Sequence, residues 1–160
     1  MTALVQFQDA SADIVTGAFD LKPADNCPKA PSVQAFVVNA ADVASEGGTD
    51  PVFGTVTWKT LISGEKTNTS EFVLGIAEFG PGGTLHPHVH APAEFYFGLT
   101  GSGIVTIDGV AHEIVPGVAI YIPGNAEHGT VAGPDGLRFA YGFAEAAFGQ
   151  IEYRFSARVA

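Results

Sequence analysis

The sequence predicts an all-β domain of the jelly-roll or small-barrel type. Its 160 residues suit a single domain with one core. The 20 glycines and 10 prolines supply the many tight turns that antiparallel strands need. From Thr55 onward, short runs in which apolar and polar residues alternate follow one another at close spacing, as in sandwiches and barrels. Helix-like periodicity is almost absent, apart from about one turn at AEAAFGQ.

These runs predict about eight to ten short strands in a double-sheet arrangement. In chain order they are TVTWKTL, EFVLGIAEF, AEFYFGL, GIVTI, VAHEI, VAIYI, EHGTV, LRFAYGF and IEYRF. Asp108-Gly109 separates two of them and predicts a two-residue hairpin, because both central positions of that turn favour a left-handed backbone. Residues 51–160 therefore form the single predicted domain.

Residues 1–50 are less regular and are predicted to form an N-terminal arm. A Pro-rich patch, KPADNCPKAP, leads into the short apolar run QAFVV and then the turn-rich ADVASEGGTD. We expect this arm to pack across the outside of the domain or against a second subunit.

Composition narrows the classes of partner. The net charge of −10 repels phosphate backbones and anionic lipids, so nucleic acid and membrane are poor candidates. The start lacks a signal-peptide pattern, and no apolar run reaches the roughly 18 residues of a membrane span, so we expect a cytoplasmic protein. The single cysteine, Cys27, excludes an internal disulfide and a zinc site built on several thiolates. A small-molecule partner remains.

The stretch HPHVHAPAE places three of the five histidines within five residues. On a strand, His88 and His90 share one face, and Glu94 and Tyr96 have the same parity if the strand resumes after Pro92. A fourth candidate ligand, His128, follows a predicted strand and a Pro-Gly-Asn turn. Such nitrogen and oxygen ligands suit one divalent ion of Fe, Mn, Ni, Co or Zn, with two open positions if the metal is octahedral.

His86 leaves an alternative open. It shares parity with His88, so a site made of His86, His88 and His90 is conceivable. Pro87 and the nearby Pro-Gly-Gly turn favour a position for His86 at the rim of the site, in reach of a substrate.

The segment resembles the two signature motifs of the cupin superfamily. The first motif is matched at Gly82, His88, His90, Glu94 and Gly101. The second is matched at Gly117, Pro123 and His128. Asn125 stands where the second motif has glycine, and Ala132 stands where it has asparagine; neither departure touches a ligand. The resemblance covers roughly residues 70–145. It implies a double-stranded β-helix barrel, often a homodimer, that binds one metal through His88, His90, His128 and Glu94.

Other residues are candidates for contact with a substrate. Tyr96 should face the interior, where a phenol beside a cation can serve as a general base. Tyr121 and Tyr141 lie on later predicted strands and are candidate walls of the pocket, with His86 at its rim.

The resemblance identifies a site but not a reaction. The spacing His-x-His-x3-Glu-x-Tyr resembles bacterial cupin lyases that cleave dimethylsulfoniopropionate into dimethyl sulfide and acrylate. That likeness implies that a metal holds the substrate carboxylate and that Tyr96 is the base. The lyase is the favoured interpretation. An Fe(II)-dependent dioxygenase could use the same ligands. A sugar or uronate isomerase, or a binding protein without catalysis, is a further alternative.

Overall fold

The structure is a computed structural model that describes residues 4–8, 14–18 and 34–156. The chain divides into two units, Met1–Val33 and Gln34–Ala160. In the first unit, strands β1 (Leu4–Gln8) and β2 (Ile14–Ala18) pair antiparallel. Residues 34–50 of the predicted N-terminal arm belong to the second unit, where Glu46 and Gly47 pair with the strand Thr57–Ile62. Cys27 lies outside the described residues, and the packing of the rest of the arm stays a prediction.

The second unit is a nine-stranded antiparallel sheet that curls on itself. Its strands are β3 (Glu46–Gly47), β4 (Thr57–Ile62), β5 (Val73–Phe79), β6 (Thr84–Val89), β7 (Glu94–Ile107), β8 (Val110–Ile114), β9 (Ala119–Ile122), β10 (His128–Phe143) and β11 (Arg154–Phe155). Two short 3₁₀ turns, Ala40–Asp42 and Phe148–Gln150, are the helical elements of the described chain. None of the described helices has the length and apolarity needed to cross a membrane.

Two long strands, β7 and β10, pair along most of their length, and the curl of the sheet follows these two strands. One half of β10 also pairs with β6 and the other half with β5, while β7 pairs with β8 and β9. The sequence predicts two separate strands where the structure has β7, and two more where it has β10. Each predicted break is a bend within one strand. Gly101 and Gly136 both have positive φ at these bends, and a Cβ on Gly101 would lie 2.1 Å from the Gly136 carbonyl oxygen.

The predicted hairpin at Asp108-Gly109 is confirmed. Both residues have positive φ, 46° and 80°, and Ile107 pairs with Val110 directly across the turn. Asn125 has a φ of 64°, so it takes the left-handed conformation that the cupin motif usually assigns to glycine.

The core lies on the concave side of the curled sheet. Burial alternates along the start of β7, where Glu94 and Tyr96 are buried while Phe95 and Phe97 are exposed. The largest apolar side chains that are almost fully buried are Phe139, Ile114, Ile122, Val73 and Val105. Removing such side chains from water stabilises the fold by roughly 1.5–3 kcal/mol each. The alternation predicted from the sequence therefore produces one apolar interior, with polar ligands among its walls.

Candidate metal centre

Three histidines converge inside the barrel. His88 and His128 are cross-strand partners on β6 and β10, and His90 follows the end of β6. All three side chains are at most 1% exposed. One ring nitrogen from each lies within 4.8 Å of the others. The hairpin-connected strands thus bring the distant His128 to the paired histidines, as the sequence predicts.

Each imidazole is oriented by a hydrogen bond to a backbone carbonyl. Nδ1 of His88, His90 and His128 lies 2.8, 2.9 and 3.0 Å from the carbonyl oxygens of His86, Pro92 and Ala126. Because a carbonyl oxygen only accepts, Nδ1 carries a proton in each ring, and Nε2 is the atom available to a metal. Metal-ligating histidines usually have such a second partner, which holds the ring in place.

Nε2 of His88 is buried, and among the described residues it has no hydrogen-bond partner. Burial, and next the charge of His128, lower the pKa of His88 to about 4, so this ring is neutral at neutral pH. A neutral imidazole with a buried, unpartnered lone pair is the form that binds a metal ion.

Glu94 completes the cluster. Its Oε2 lies 3.3 Å from Nε2 of His90 and 3.3 Å from Nε2 of His128. Burial alone would raise the pKa of this carboxyl, but His128 and His90 outweigh it and lower the pKa, so the group is ionised. A carboxylate and three imidazoles that converge on one place fit a divalent transition metal.

A cavity of about 240 Å³ opens beside this cluster. Glu94 is the one carboxylate among the described residues that line it, and none of these residues is Lys or Arg. The rest of the lining is apolar or aromatic: Phe53, Val56, Trp58, Ala77, Leu85, Tyr96, Phe139, Tyr141, Phe148, Gly149, Ile151, Tyr153 and Phe155.

Tyr96 lines this cavity, on the inward face of β7 that its parity predicts. Its ring is 1% exposed, stacks on Phe139 with centroids 4.1 Å apart, and lies 6.3 Å from the His128 ring. Burial, and next the Glu94 carboxylate, raise the pKa of the phenol well above its usual value. The hydroxyl therefore keeps its proton unless positive charge is present at the cluster.

The three candidate substrate contacts lie in different places. Tyr141 lines the cavity, its hydroxyl 3.4 Å from Oγ1 of Thr60, and burial raises its pKa. Tyr121 is 70% exposed on the outer face of β9, with parity opposite to the buried Ile122, and is not among the cavity residues. His86 is half-buried, and its Nδ1 lies 2.8 Å from the Val52 carbonyl oxygen, also away from the cavity lining.

Sequence reasoning missed Tyr153. Its ring stacks on His88 with centroids 5.1 Å apart, lies 5.1 Å from the His90 ring, and lines the cavity. Burial raises the pKa of its phenol well above the usual value. The run IEYRF predicts a strand at this point, but the pairing of β11 with β6, which brings Tyr153 to the histidines, has no sequence signal.

A curled antiparallel barrel with three buried histidines and a glutamate on its inner walls defines a cupin with a candidate metal site. Residues 75–139 match the model of the cupin domain. The chain is 58% identical over 157 residues to dimethylsulfoniopropionate lyase DddW of Ruegeria pomeroyi, covering 98% of this chain and 99% of that protein. The chain belongs to the DddW family of cupins.

Solved structures agree on the fold. The polyketide cyclase RemF of Streptomyces resistomycificus superposes with a TM-score of 0.67 at 28% identity, covering 78% of this chain and 87% of that one. A cupin-2 domain protein of Rhodospirillum rubrum superposes with a TM-score of 0.63 at 21% identity, covering 82% and 86%. The latter likeness concerns the fold alone.

Proposed function

We propose that this protein is a metal-dependent lyase that cleaves dimethylsulfoniopropionate into dimethyl sulfide and acrylate. The observation that carries the proposal is the buried cluster of His88, His90, His128 and Glu94 beside Tyr96, at the wall of the cavity. The 58% identity to a lyase of this substrate supports the same reaction here.

We propose that His88, His90, His128 and Glu94 are the metal ligands. The unpartnered Nε2 of His88 and the carbonyl partners of all three Nδ1 atoms support this set. An ion of Fe, Mn, Ni, Co or Zn suits these donors. The bound ion would supply a Lewis acid for the substrate carboxylate and a positive charge that offsets the raised pKa of Tyr96.

Tyr96 is the proposed general base. In its deprotonated form, which a positive charge at the cluster would favour, the Tyr96 oxygen takes a proton from the carbon next to the substrate carboxylate. The electron pair of that C–H bond forms the π bond of the carbon–carbon double bond in acrylate. The C–S bond breaks, and sulfur leaves with the bonding pair as neutral dimethyl sulfide. The proton on Tyr96 then passes to solvent, and no oxidant or reductant is needed.

The remaining walls position the substrate and limit the entry of water. Tyr141 lies in the wall, and we propose that it contacts the substrate. Contacts from His86 and Tyr121 stay predictions, and both residues lie away from the cavity lining. We further propose that the protein acts in the cytoplasm as a homodimer.

The test is direct. Purified protein is stripped of metal, reloaded in turn with Fe(II), Mn(II), Co(II), Ni(II) and Zn(II), and incubated with dimethylsulfoniopropionate. Headspace gas chromatography measures dimethyl sulfide, and liquid chromatography measures acrylate in equal amount. Absence of both products with every metal would show that the lyase proposal is wrong. Oxygen uptake with diols or diketones would instead support a dioxygenase.

A further inference from the structure

One side of the cavity consists of four aromatic residues, Phe53, Trp58, Phe148 and Tyr153, here called the aromatic wall. Their rings form a continuous row: centroid separations are 5.6 Å from Phe53 to Trp58, 6.4 Å from Trp58 to Phe148 and 6.0 Å from Phe148 to Tyr153. Tyr153 in turn stacks on the His88 ring. The aromatic wall therefore adjoins the histidine cluster at Tyr153.

The charge around this wall is unusual for a site that takes a carboxylate. Among the described lining residues there is no Lys or Arg. A bound carboxylate therefore has no cation to contact except a metal ion held by the histidines. Apart from Glu94, the described lining side chains offer only apolar groups, phenols, an indole and ring faces. Ring faces carry the negative part of the aromatic quadrupole and attract cations, with Trp the strongest.

The size of the cavity limits the ligand. About 240 Å³ lies below the roughly 300–1,000 Å³ of pockets for drug-sized molecules, so a ligand of few heavy atoms fits. With its carboxylate at the histidines, such a molecule meets a lining that is otherwise apolar or aromatic.

We propose that the aromatic wall binds the positively charged onium head of a small zwitterionic carboxylate, sulfonium or quaternary ammonium, and selects against neutral carboxylates of the same shape. The position of the carboxylate rests on the proposed function; the preference for a cation rests on the wall itself. Trp58 and Phe148 are the specificity-determining residues.

The chain offers its own probe, because Trp58 is its one tryptophan. Zinc-loaded protein is titrated with 3-(trimethylammonio)propionate and, separately, with 4,4-dimethylpentanoate, which replaces the charged nitrogen by carbon in the same shape. Fluorescence excited at 295 nm then reports binding at the wall without turnover. The ammonium compound is expected to have a Kd at least about fivefold lower. Equal or tighter binding of the neutral compound would overturn the proposal, since a merely apolar wall favours the ligand that is easier to dehydrate.

Variants separate the ring face from general packing. In calorimetric titrations, Trp58→Leu is expected to remove most of the preference for the ammonium compound while the neutral compound binds within about twofold of wild type. Trp58→Phe, which keeps a ring face, should retain most of the preference. Phe148→Leu is a second test that does not depend on the folding of the Trp58 variants. An unchanged preference in folded Trp58→Leu and Phe148→Leu would refute the assignment.

The two proposals can fail separately. If dimethylsulfoniopropionate is cleaved but the neutral compound binds as tightly as the ammonium compound, the aromatic wall has no preference for cations and the lyase proposal stands. If the ammonium compound is preferred but no dimethyl sulfide forms, the aromatic wall is supported and the lyase proposal falls.

Discussion

Tyr96→Phe removes one oxygen from the candidate site and leaves the rest of the ring in place. The stack on Phe139 at 4.1 Å and the approach to His128 at 6.3 Å involve ring atoms that phenylalanine keeps. The lost hydroxyl gives up about 1 kcal/mol of hydrogen bonding but also removes a buried polar group, so the free energy of unfolding should change by less than about 1.5 kcal/mol. The fold and the metal ligands should survive the change.

The effect on turnover should be far larger. A positioned general base contributes roughly 10²–10⁴-fold to a rate. The variant should therefore lose at least about 100-fold in kcat, which is about 2.7 kcal/mol in the activation barrier. KM should change little, because the carboxylate and the onium head of the substrate are bound by other groups.

The assay is dimethyl sulfide release by the metal-loaded variant, with metal content and melting temperature measured on the same preparation. Tyr141→Phe is the matched control: it removes another buried cavity hydroxyl, one that is paired with Thr60. Its loss in kcat should stay below about tenfold. If Tyr96→Phe with full metal content keeps kcat within threefold of wild type, the assignment of the base is wrong.

Three further outcomes follow from the structure. His128→Gln should weaken metal affinity by more than the roughly 10–100-fold that loss of an outer hydrogen-bond partner costs, in competition with a chelating dye; unchanged affinity would remove His128 from the ligands. In metal-free protein, the pKa of His88 is lowered from 6.5 to about 4, so the unfolded chain binds a proton that the fold excludes. The free energy of unfolding should fall as pH drops from about 6.5 to about 4, by up to about 3 kcal/mol in urea titrations, and a flat or rising profile would contradict this. Gly75→Ala would place a Cβ 2.3 Å from the Tyr141 ring and should cost about 1–3 kcal/mol of stability by thermal unfolding, whereas Gly80→Ala, with open space around it, should cost under about 1 kcal/mol; equal effects would refute the packing argument.

The candidate metal site was largely predictable because most of its candidate ligands are close in sequence. A strand alternates its faces, so the spacing of His88, His90, Glu94 and Tyr96 determines that all four can face one interior. His128 could be added through its motif and the turn before it. The hydrogen bonds that orient the rings involve backbone carbonyls of any residue type, so no sequence pattern indicates them.

Strand boundaries were less predictable where glycines occur. From the sequence alone, Gly101 and Gly136 each predict a turn between two strands. In the structure they instead let β7 and β10 bend while the pairing of the two strands continues. The choice between a turn and a bend depends on the partner strand, because Gly101 lies against the Gly136 carbonyl across the ladder.

By itself, the sequence determined the all-β class, the tight hairpin at Asp108-Gly109 and the set of inward-facing ligands, since alternation and turn chemistry are local properties. Only the tertiary structure decided which aromatic residues surround the metal cluster. Tyr153 reaches His88 because β11 pairs with β6, whereas Tyr121, an equally good candidate in sequence, lies on the outer face of β9. Contacts between residues far apart in the chain depend on strand pairing, which is set by the whole sheet and not by local spacing.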